Sequence, residues 1–312
     1  MLTDDNNSQS GIEIRHATAG DRKAVRMLLP NLGQVAVSVV AIEPAHGLVV
    51  GAAAAAGKLR VRPFVGPGVA IEVIEPYRHQ AIGTALFNYL EVAVRHASAA
   101  TEALYAAQRV ESGSEKARAW TALGFQPLDR TEDHQLPTAG FETQLGPLLE
   151  RMRAKGKIPT NAVIVPLYRA DAAAVLRLHL DHMGGDRGEL YRKIRGTGSG
   201  AFHPRYSRVL LIDGKVKGCI LAHRVSAEVA HVDANIVDPG VRGGWANVWL
   251  KLEATRGAVK LNVKTFQFTT FDQYQDTRSF TQRLGGQTSR STELYYRRIA
   301  RDENFVCSAT GR

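Results

Sequence analysis

The residues best suited to chemistry lie in one stretch, Ile71-Glu72-Val73-Ile74-Glu75-Pro76-Tyr77-Arg78-His79-Gln80-Ala81-Ile82-Gly83-Thr84-Ala85-Leu86. Its first part reads as a strand: Ile71, Val73 and Ile74 are β-branched, and Pro76 ends ladder pairing. Its last part reads as a helix, with Ile82, Leu86, Leu90 and Val94 marking one apolar face. A short turn from Arg78 to Gly83 joins the two. A strand feeding such a turn into a helix aims several backbone N–H groups, and the positive end of the helix dipole, at one point. A phosphate suits that point, and His79 within the turn fits anion contact better than proton transfer.

The elements around this stretch can be read in order. Ile12 to Arg15 alternates as a strand, and a helix follows with Asp21 near its start and Val25, Leu28 and Leu29 on its apolar face. Val35 to Ile42 is a second strand, Glu43 to Gly47 a hairpin connection, and Leu48 to Ala56 a third strand whose alanines let other elements pack closely. Gly57 to Gly68 reads as a loop before the motif strand. After the motif helix come a short strand, Ala103 to Ala107, and a helix, Glu115 to Leu123, ending in Leu123-Gly124-Phe125. The order is β-α-β-β-β-α-β-α-β.

Arg78-His79-Gln80-Ala81-Ile82-Gly83 resembles the Arg/Gln-x-x-Gly-x-Gly/Ala loop of the GCN5-related N-acetyltransferases, and the Leu-Gly-Phe ending resembles their closing motif. Ala81 stands at the first glycine, where it can keep a helical backbone but brings a methyl group nearer the ligand. The resemblance implies acetyl-coenzyme A as co-substrate, with its pyrophosphate at Arg78, His79, Gln80, Ala81, Ile82, Gly83 and Thr84. It implies backbone hydrogen bonds from Val73 and Ile74 to the pantetheine arm, and Glu72 as the base that deprotonates an amine. Glu72 also reads as a solvated or salt-bridged residue on an outward strand face. One departure is Trp120, at the position of the tyrosine that protonates the leaving thiolate in many members; an indole N–H is too weak an acid for that role. Tyr105 is the substitute on the preceding strand, and reads also as a core tyrosine.

The pattern then starts again. Asp171, Val175 and Leu178 keep the spacing of Asp21, Val25 and Leu28, and Asp213-Gly214 is a hairpin signal between two apolar runs. Val229 to Val237 leads into a turn at Asp238 to Asn247 where the phosphate turn stood in the first half. Arg78 precedes Gly124 by 46 residues and Arg242 precedes Gly285 by 43, the mark of a repeated unit. Trp245 and Asn247 replace the glycines of the second turn, where an indole would crowd a pyrophosphate, so this turn reads as degenerate. Thr281 holds the place of the family's tyrosine, and Asp233 and Asn235 lie on the strand matching Glu72, with His231 as a strand histidine. The expected fold class is therefore α/β (α+β), two tandem acetyltransferase-like domains, each a mixed, mostly antiparallel sheet flanked by helices. The expected boundaries are a disordered lead at 1–10, a domain at 11–135, a connector at 136–160, a second domain at 161–300 and a tail at 301–312.

Composition narrows the partners. The 312 residues carry a net charge of +10, which favours polyanions, coenzyme A or RNA, but the basic residues are scattered rather than blocked with aromatics, so nucleic acid has no specific support. No apolar run approaches the roughly 20 residues that span a bilayer, and the first ten are polar and acidic, unlike a signal peptide. Cys219 and Cys307 have no metal-ligand spacing, which suits a reduced cytoplasmic compartment. The expected function is acetyl transfer from acetyl-coenzyme A to an amine acceptor by direct attack. The alternatives are a non-catalytic coenzyme A sensor or scaffold, and an aminoacyltransferase of the Fem type using aminoacyl-tRNA.

Overall fold

The β-branched runs of each half pair as sheets with helices on both faces in the computed structural model, which describes residues 11–61, 64–78, 80–98, 100–241, 244–271 and 275–299. In chain order the first half holds β1 (Glu13–His16), α1 (Arg22–Leu28), β2 (Val35–Glu43), β3 (Leu48–Val61), β4 (Phe64–Val73), α2 (Ile82–Ala97), β5 (Ala103–Ala106), β6 (Val110–Glu111), α3 (Glu115–Ala122) and β7 (Gln126–Pro137). Then follow α4 (Phe141–Ala154), β8 (Ala162–Pro166), α5 (Ala172–Met183), α6 (Arg187–Ile194), β9 (Arg208–Ile212), β10 (Lys215–Arg224) and β11 (Val229–Val237). The chain continues through α7 (Trp245–Val259), β12 (Thr265–Phe271), α8 (Gln275–Arg283) and β13 (Gln287–Arg298). Two compact units result: residues 1–130 with 292–312, and residues 131–291.

The first unit orders its strands β1-β2-β3-β4-β5-β13. The alanine run of β3 explains how the sheet takes a helix on each face. Ala52 and Ala54 lie under Val25 of α1 and Leu29 just after it, while Ala53 and Ala55 lie under Leu86, Phe87 and Leu90 of α2, all buried. Gly51 continues this close approach: an added Cβ would lie 3.0 Å from Leu86 Cδ1. Of the stretch 57–68, expected as a loop, the described residues 57–61 and 64–68 are instead strand. Gly57 adopts a left-handed φ of 63°, a bulge between Ala56 and Leu59 absorbs the irregularity, and Leu59 pairs with Gly66.

The second unit orders its strands β7-β12-β11-β10-β9-β8. Asp213 and Gly214, with φ of 50° and 70°, make the tight turn between β9 and β10. Val175, Leu176, Leu190 and Ile194 of α5 and α6 cover Cys219, Leu221, Ala234 and Ile236. Trp245, Leu250 and Ala254 of α7 cover Leu210, Ile220 and Val237 on the opposite face. The segment expected as a connector carries α4, whose Phe141, Leu145 and Leu149 are buried with Leu252.

The two units repeat in detail. A Cβ on Gly51 would meet Leu86 Cδ1, Val73 Cγ2 and the Glu72 carbonyl, and one on Gly218 would meet Leu250 Cδ1, Val237 Cγ2 and the Ile236 carbonyl. Each neighbour of Gly218 lies 164 positions after its counterpart, as 86 to 250 and 73 to 237 show. The closing strands, however, cross over. Tyr296, Arg297 and Arg298 of β13 pair with Tyr105, Leu104 and Ala103 of β5 in the first unit. In the second, β12 pairs with β7 from Phe271↔Thr131 to Thr265↔Pro137. The units therefore divide at residues 130/131 and 291/292, whereas chain order alone led to 135 and 300.

Candidate functional site

Parallel pairing of β4 with β5 is short. It covers Gly68↔Tyr105 and Val69↔Ala106, with a last bond from the Ala107 N–H to the Val69 carbonyl at 2.8 Å. On its other side β4 stays paired with β3 through Val73↔Gly51. The Ile74 N–H donates into the sheet, to the Val50 carbonyl at 2.9 Å. By alternation, the backbone groups of Ile71 and Val73 point away from β3, along the edge that β5 has left. Of the two residues expected to offer backbone bonds, Val73 thus faces the open edge. Ile74 does not, because β3 already takes its N–H; Ile71 is the residue that shares Val73's direction.

A 3-10 turn at Glu75–Tyr77 follows, and α2 begins at Ile82. Its first intrahelical bond runs from the Ala85 N–H to the Ala81 carbonyl at 3.1 Å, so the N–H groups of Ile82, Gly83 and Thr84 have no intrahelical acceptor. No side chain caps them. Ala81 does not keep the helical backbone expected of it: its φ is 56° and ψ 9°, the left-handed region, which costs an L-residue about 1–2 kcal/mol. The turn needs that conformation to swing the chain from strand into helix. At Gly83 an added Cβ would meet nothing within 4 Å, so its surface is open. Ile82 is buried in the core, while Gln80, Ala81 and Thr84 are exposed. His79 lies outside the described residues.

The structure brings Arg78 and Glu72 together. Arg78 donates through Nε to the Val73 carbonyl at 3.0 Å and through a terminal nitrogen to Glu72 Oε1 at 3.0 Å. The arginine folds back over the end of β4, leaving about half of its side chain in solvent. Nearby, hydrogen bonding to Glu43 raises the Tyr77 hydroxyl above its ordinary range.

The phenols and the indole are otherwise engaged. Trp120 is buried, edge-on to Phe125 at 4.6 Å. The Tyr105 hydroxyl donates to the Phe64 carbonyl at 2.7 Å, and burial raises its pKa. Tyr295 donates to Glu293 at 2.8 Å, and burial raises it as well. Burial pushes the Cys219 thiol up to about 12, which excludes a nucleophilic role.

The second turn differs from the first. Gly244, with φ 85°, takes the left-handed position before α7, and Trp245 becomes a helical residue packed in the core. The indole therefore does not crowd the turn as expected, because it turns inward against Met152 and Ile158. Asn247 is half-buried, Thr281 is buried, and Arg242, Gly243 and Tyr274 lie outside the described residues. Asn235 is exposed, whereas Asp233 and His231 join His223 in a cluster that composition did not signal. The His-x-Asp spacing at 231–233 is the one trace of it in the sequence.

No family model matches the chain, and no curated protein matches it. Solved structures do. A GCN5-related N-acetyltransferase from Sphaerobacter thermophilus aligns at a TM-score of 0.54 and 14% identity, covering 93% of this chain and 96% of that one. The tandem GNAT protein from the clavulanic acid biosynthesis pathway aligns at 0.51 and 16%, covering 92% and 98%. A glucosamine N-acetyltransferase region of a fungal multi-domain GH3 β-N-acetylglucosaminidase aligns at 0.58 and 12%, covering 92% of this chain and 38% of that one. No described helix is long and apolar enough to cross a membrane. The β-α-β-β-β-α-β order, repeated with α6 added after the first helix of the second unit, the parted β4–β5 edge and these alignments together give the chain the fold of the GCN5-related N-acetyltransferases, built twice in tandem.

Proposed function

We propose that the first unit is an N-acetyltransferase that moves an acetyl group from acetyl-coenzyme A to an amine of a small molecule or peptide. One observation carries this reading: the released β4 edge at Ile71 and Val73 and the uncapped start of α2 lie at the same end of one strand. The uncapped N–H groups of Ile82, Gly83 and Thr84 suit a pyrophosphate, and open space over Gly83 lets it approach the backbone. Gln80 and Ala81 shape the turn, and Arg78 and His79 supply side chains. The exposed Arg78–Glu72 pair is worth about 0–1 kcal/mol, so a phosphate can draw the guanidinium away and release the carboxylate. The Val73 and Ile71 amides would bind the amide-bearing arm of the coenzyme as a strand edge binds a peptide.

Acetyl-coenzyme A supplies the activated acyl group. A neutral amine adds to the carbonyl carbon, the C–S bond breaks, and coenzyme A leaves as the thiolate, which becomes the thiol by taking back the amine's proton from Glu72 or through solvent. Glu72 takes the proton of the amine, directly or through water, and a strand amide polarises the carbonyl. Holding the two reactants in register supplies the larger share of the rate. A reduced cytoplasmic setting accords with the free, buried Cys219.

A second reading, a coenzyme A-binding protein without turnover, is favoured by the burial of Trp120 and by the bond that ties Tyr105 to Phe64. Thiol release from acetyl-coenzyme A across a panel of aliphatic amines, amino sugars and peptide N-termini separates the two. Acceptor-dependent release, with the acetylated amine found by mass spectrometry, supports the enzyme. Tight binding with no release for any acceptor class supports the second reading, and steeply salt-dependent tRNA binding would point to aminoacyl transfer instead.

A further inference from the structure

The second unit gathers three ligand-bearing side chains on one face of its sheet. His223 of β10 and His231 of β11 are cross-strand partners, with ring centroids 5.3 Å apart. Along β11 the register slips: Leu221 pairs with Ala234 and Ala222 with Val232, so Asp233 has no partner on β10. Asp233 is the extra residue of a β-bulge, a device that re-aims a side chain out of the regular ladder. Its carboxylate is aimed at the two imidazoles. Asp233 Oδ2 lies 2.5 Å from His223 Nδ1 and 3.8 Å from His231 Nδ1, and one ligand atom from each of the three residues falls within 4.8 Å of the others.

The hydrogen bonding around this carboxylate is incomplete. His231 Nδ1 is buried with no hydrogen-bond partner among the described residues. A salt bridge needs one imidazole, and burying the second ring's nitrogen without a partner is unfavourable. A cation between the rings would satisfy them together.

We infer that His223, His231 and Asp233 bind a divalent transition-metal ion of the zinc type. Bonds of about 2.0–2.1 Å in a tetrahedral site set ligand atoms roughly 3.3 Å apart, and the separations of 2.5 and 3.8 Å bracket that spacing. Two imidazoles and a carboxylate form a nitrogen–oxygen set that favours zinc, cobalt, nickel or ferrous iron over calcium or magnesium. Three protein ligands leave a coordination position for water or a substrate atom. That position has a structural context. β11 pairs with β12 only from Val229 to Val232, so Asp233 stands where that strand edge becomes free, much as β4 parts from β5 beyond Val69. The inference does not depend on acetyl transfer in the first unit.

The test uses the full chain without a polyhistidine tag, stripped with a chelator and titrated with Zn2+ by calorimetry and with Co2+ by visible absorption. One equivalent of Zn2+, and a Co2+ ligand-field band of low-symmetry nitrogen–oxygen coordination, are expected. His231→Gln and Asp233→Asn, each checked for native circular dichroism, should weaken Zn2+ binding by about 10-fold or more. His46→Gln, an exposed residue of the first unit bonded to Glu43, should leave it unchanged. No stoichiometric binding by the wild type overturns the inference. So does binding indifferent to both His231→Gln and Asp233→Asn. If either variant fails to fold, the Co2+ spectrum of the wild type decides.

Discussion

Lys251 offers a quantitative test of how the repeat is packed. The buried positions of α2, among them Ile82, Leu86, Leu90 and Val94, recur on α7 as Ala246, Leu250, Ala254 and Ala258, each 164 residues later. At the same offset Phe87, fully buried in the first unit, becomes Lys251. The ammonium sits 3.7 Å from the ring centroid of Phe280, no carboxylate pairs with it among the described residues, and burial pushes its pKa down to about 8 from 10.5. Between those values the unfolded chain holds a proton that the folded chain does not, so stability rises with pH across the window. Below pH 8 the full penalty applies. The fall from 10.5 to about 8 corresponds to about 3 kcal/mol, an upper bound, because Lys251 is half-buried and the ring attracts the cation by about 0.5–2 kcal/mol. Lys251→Met, which keeps the length and removes the charge, should therefore stabilise the second unit by about 1–3 kcal/mol at pH 7. The advantage should shrink toward zero near pH 10.5. Urea unfolding followed by the fluorescence of Trp245 and Trp249, on the same helix, measures both. A variant no more stable than wild type at pH 7, or an advantage independent of pH, would mean that the amine is solvated and refute the reasoning.

Other expectations concern the first unit. Ala81→Gly should relieve the left-handed strain at φ 56°, a gain of up to about 1 kcal/mol after the added entropy of the unfolded glycine, read as a higher Tm. Asp21 is held well below the usual carboxylate range, first by its bond to Arg15 at 2.7 Å and then by Thr18, against the opposing effect of burial. Its contribution is present in full above the usual carboxylate pKa and fades as pH falls through and below it. Asp21→Asn should then lose about 1–3 kcal/mol at pH 7 and much less near pH 2, in paired thermal melts. Gly66→Ala would place Cβ 1.7 Å from the Ala103 carbonyl oxygen, so β4 and β5 must separate; a loss of about 3 kcal/mol or more is expected in thermal unfolding, and a near-neutral result would show that the two strands do not meet there.

Local signals made much of the fold legible. The Asp213-Gly214 hairpin, the alanine strand and the apolar stripe of α2 follow from turn chemistry and periodicity, which act over a few residues. Three features were not legible, for different reasons. The exchange of closing strands depends on which distant edge Tyr296 or Thr131 pairs with, and alternation says nothing about partners. α6 buries only Leu190 and Ile194 on an otherwise charged surface, too faint a stripe to register. The His–Asp cluster is assembled by cross-strand register and a bulge, so no short motif announces it. At the turn from Arg78 to Gly83 the reverse holds: the short motif is plain in the sequence, but the commitment of Ile74 to β3 and the fold of Arg78 back on Glu72 depend on tertiary structure.

The central claim is that the start of α2 receives the phosphates of acetyl-coenzyme A, and calorimetry of acetyl-coenzyme A binding with Gly83→Asp beside the wild type tests it most directly. Gly83 lies in the first helical turn with open space around it, where a carboxylate favours the helix dipole, so the variant should fold normally. The same carboxylate would repel a phosphate. Binding near one equivalent by the wild type and none by the variant is the predicted result; a wild type that does not bind acetyl-coenzyme A, or a variant that binds it equally well, would contradict the account.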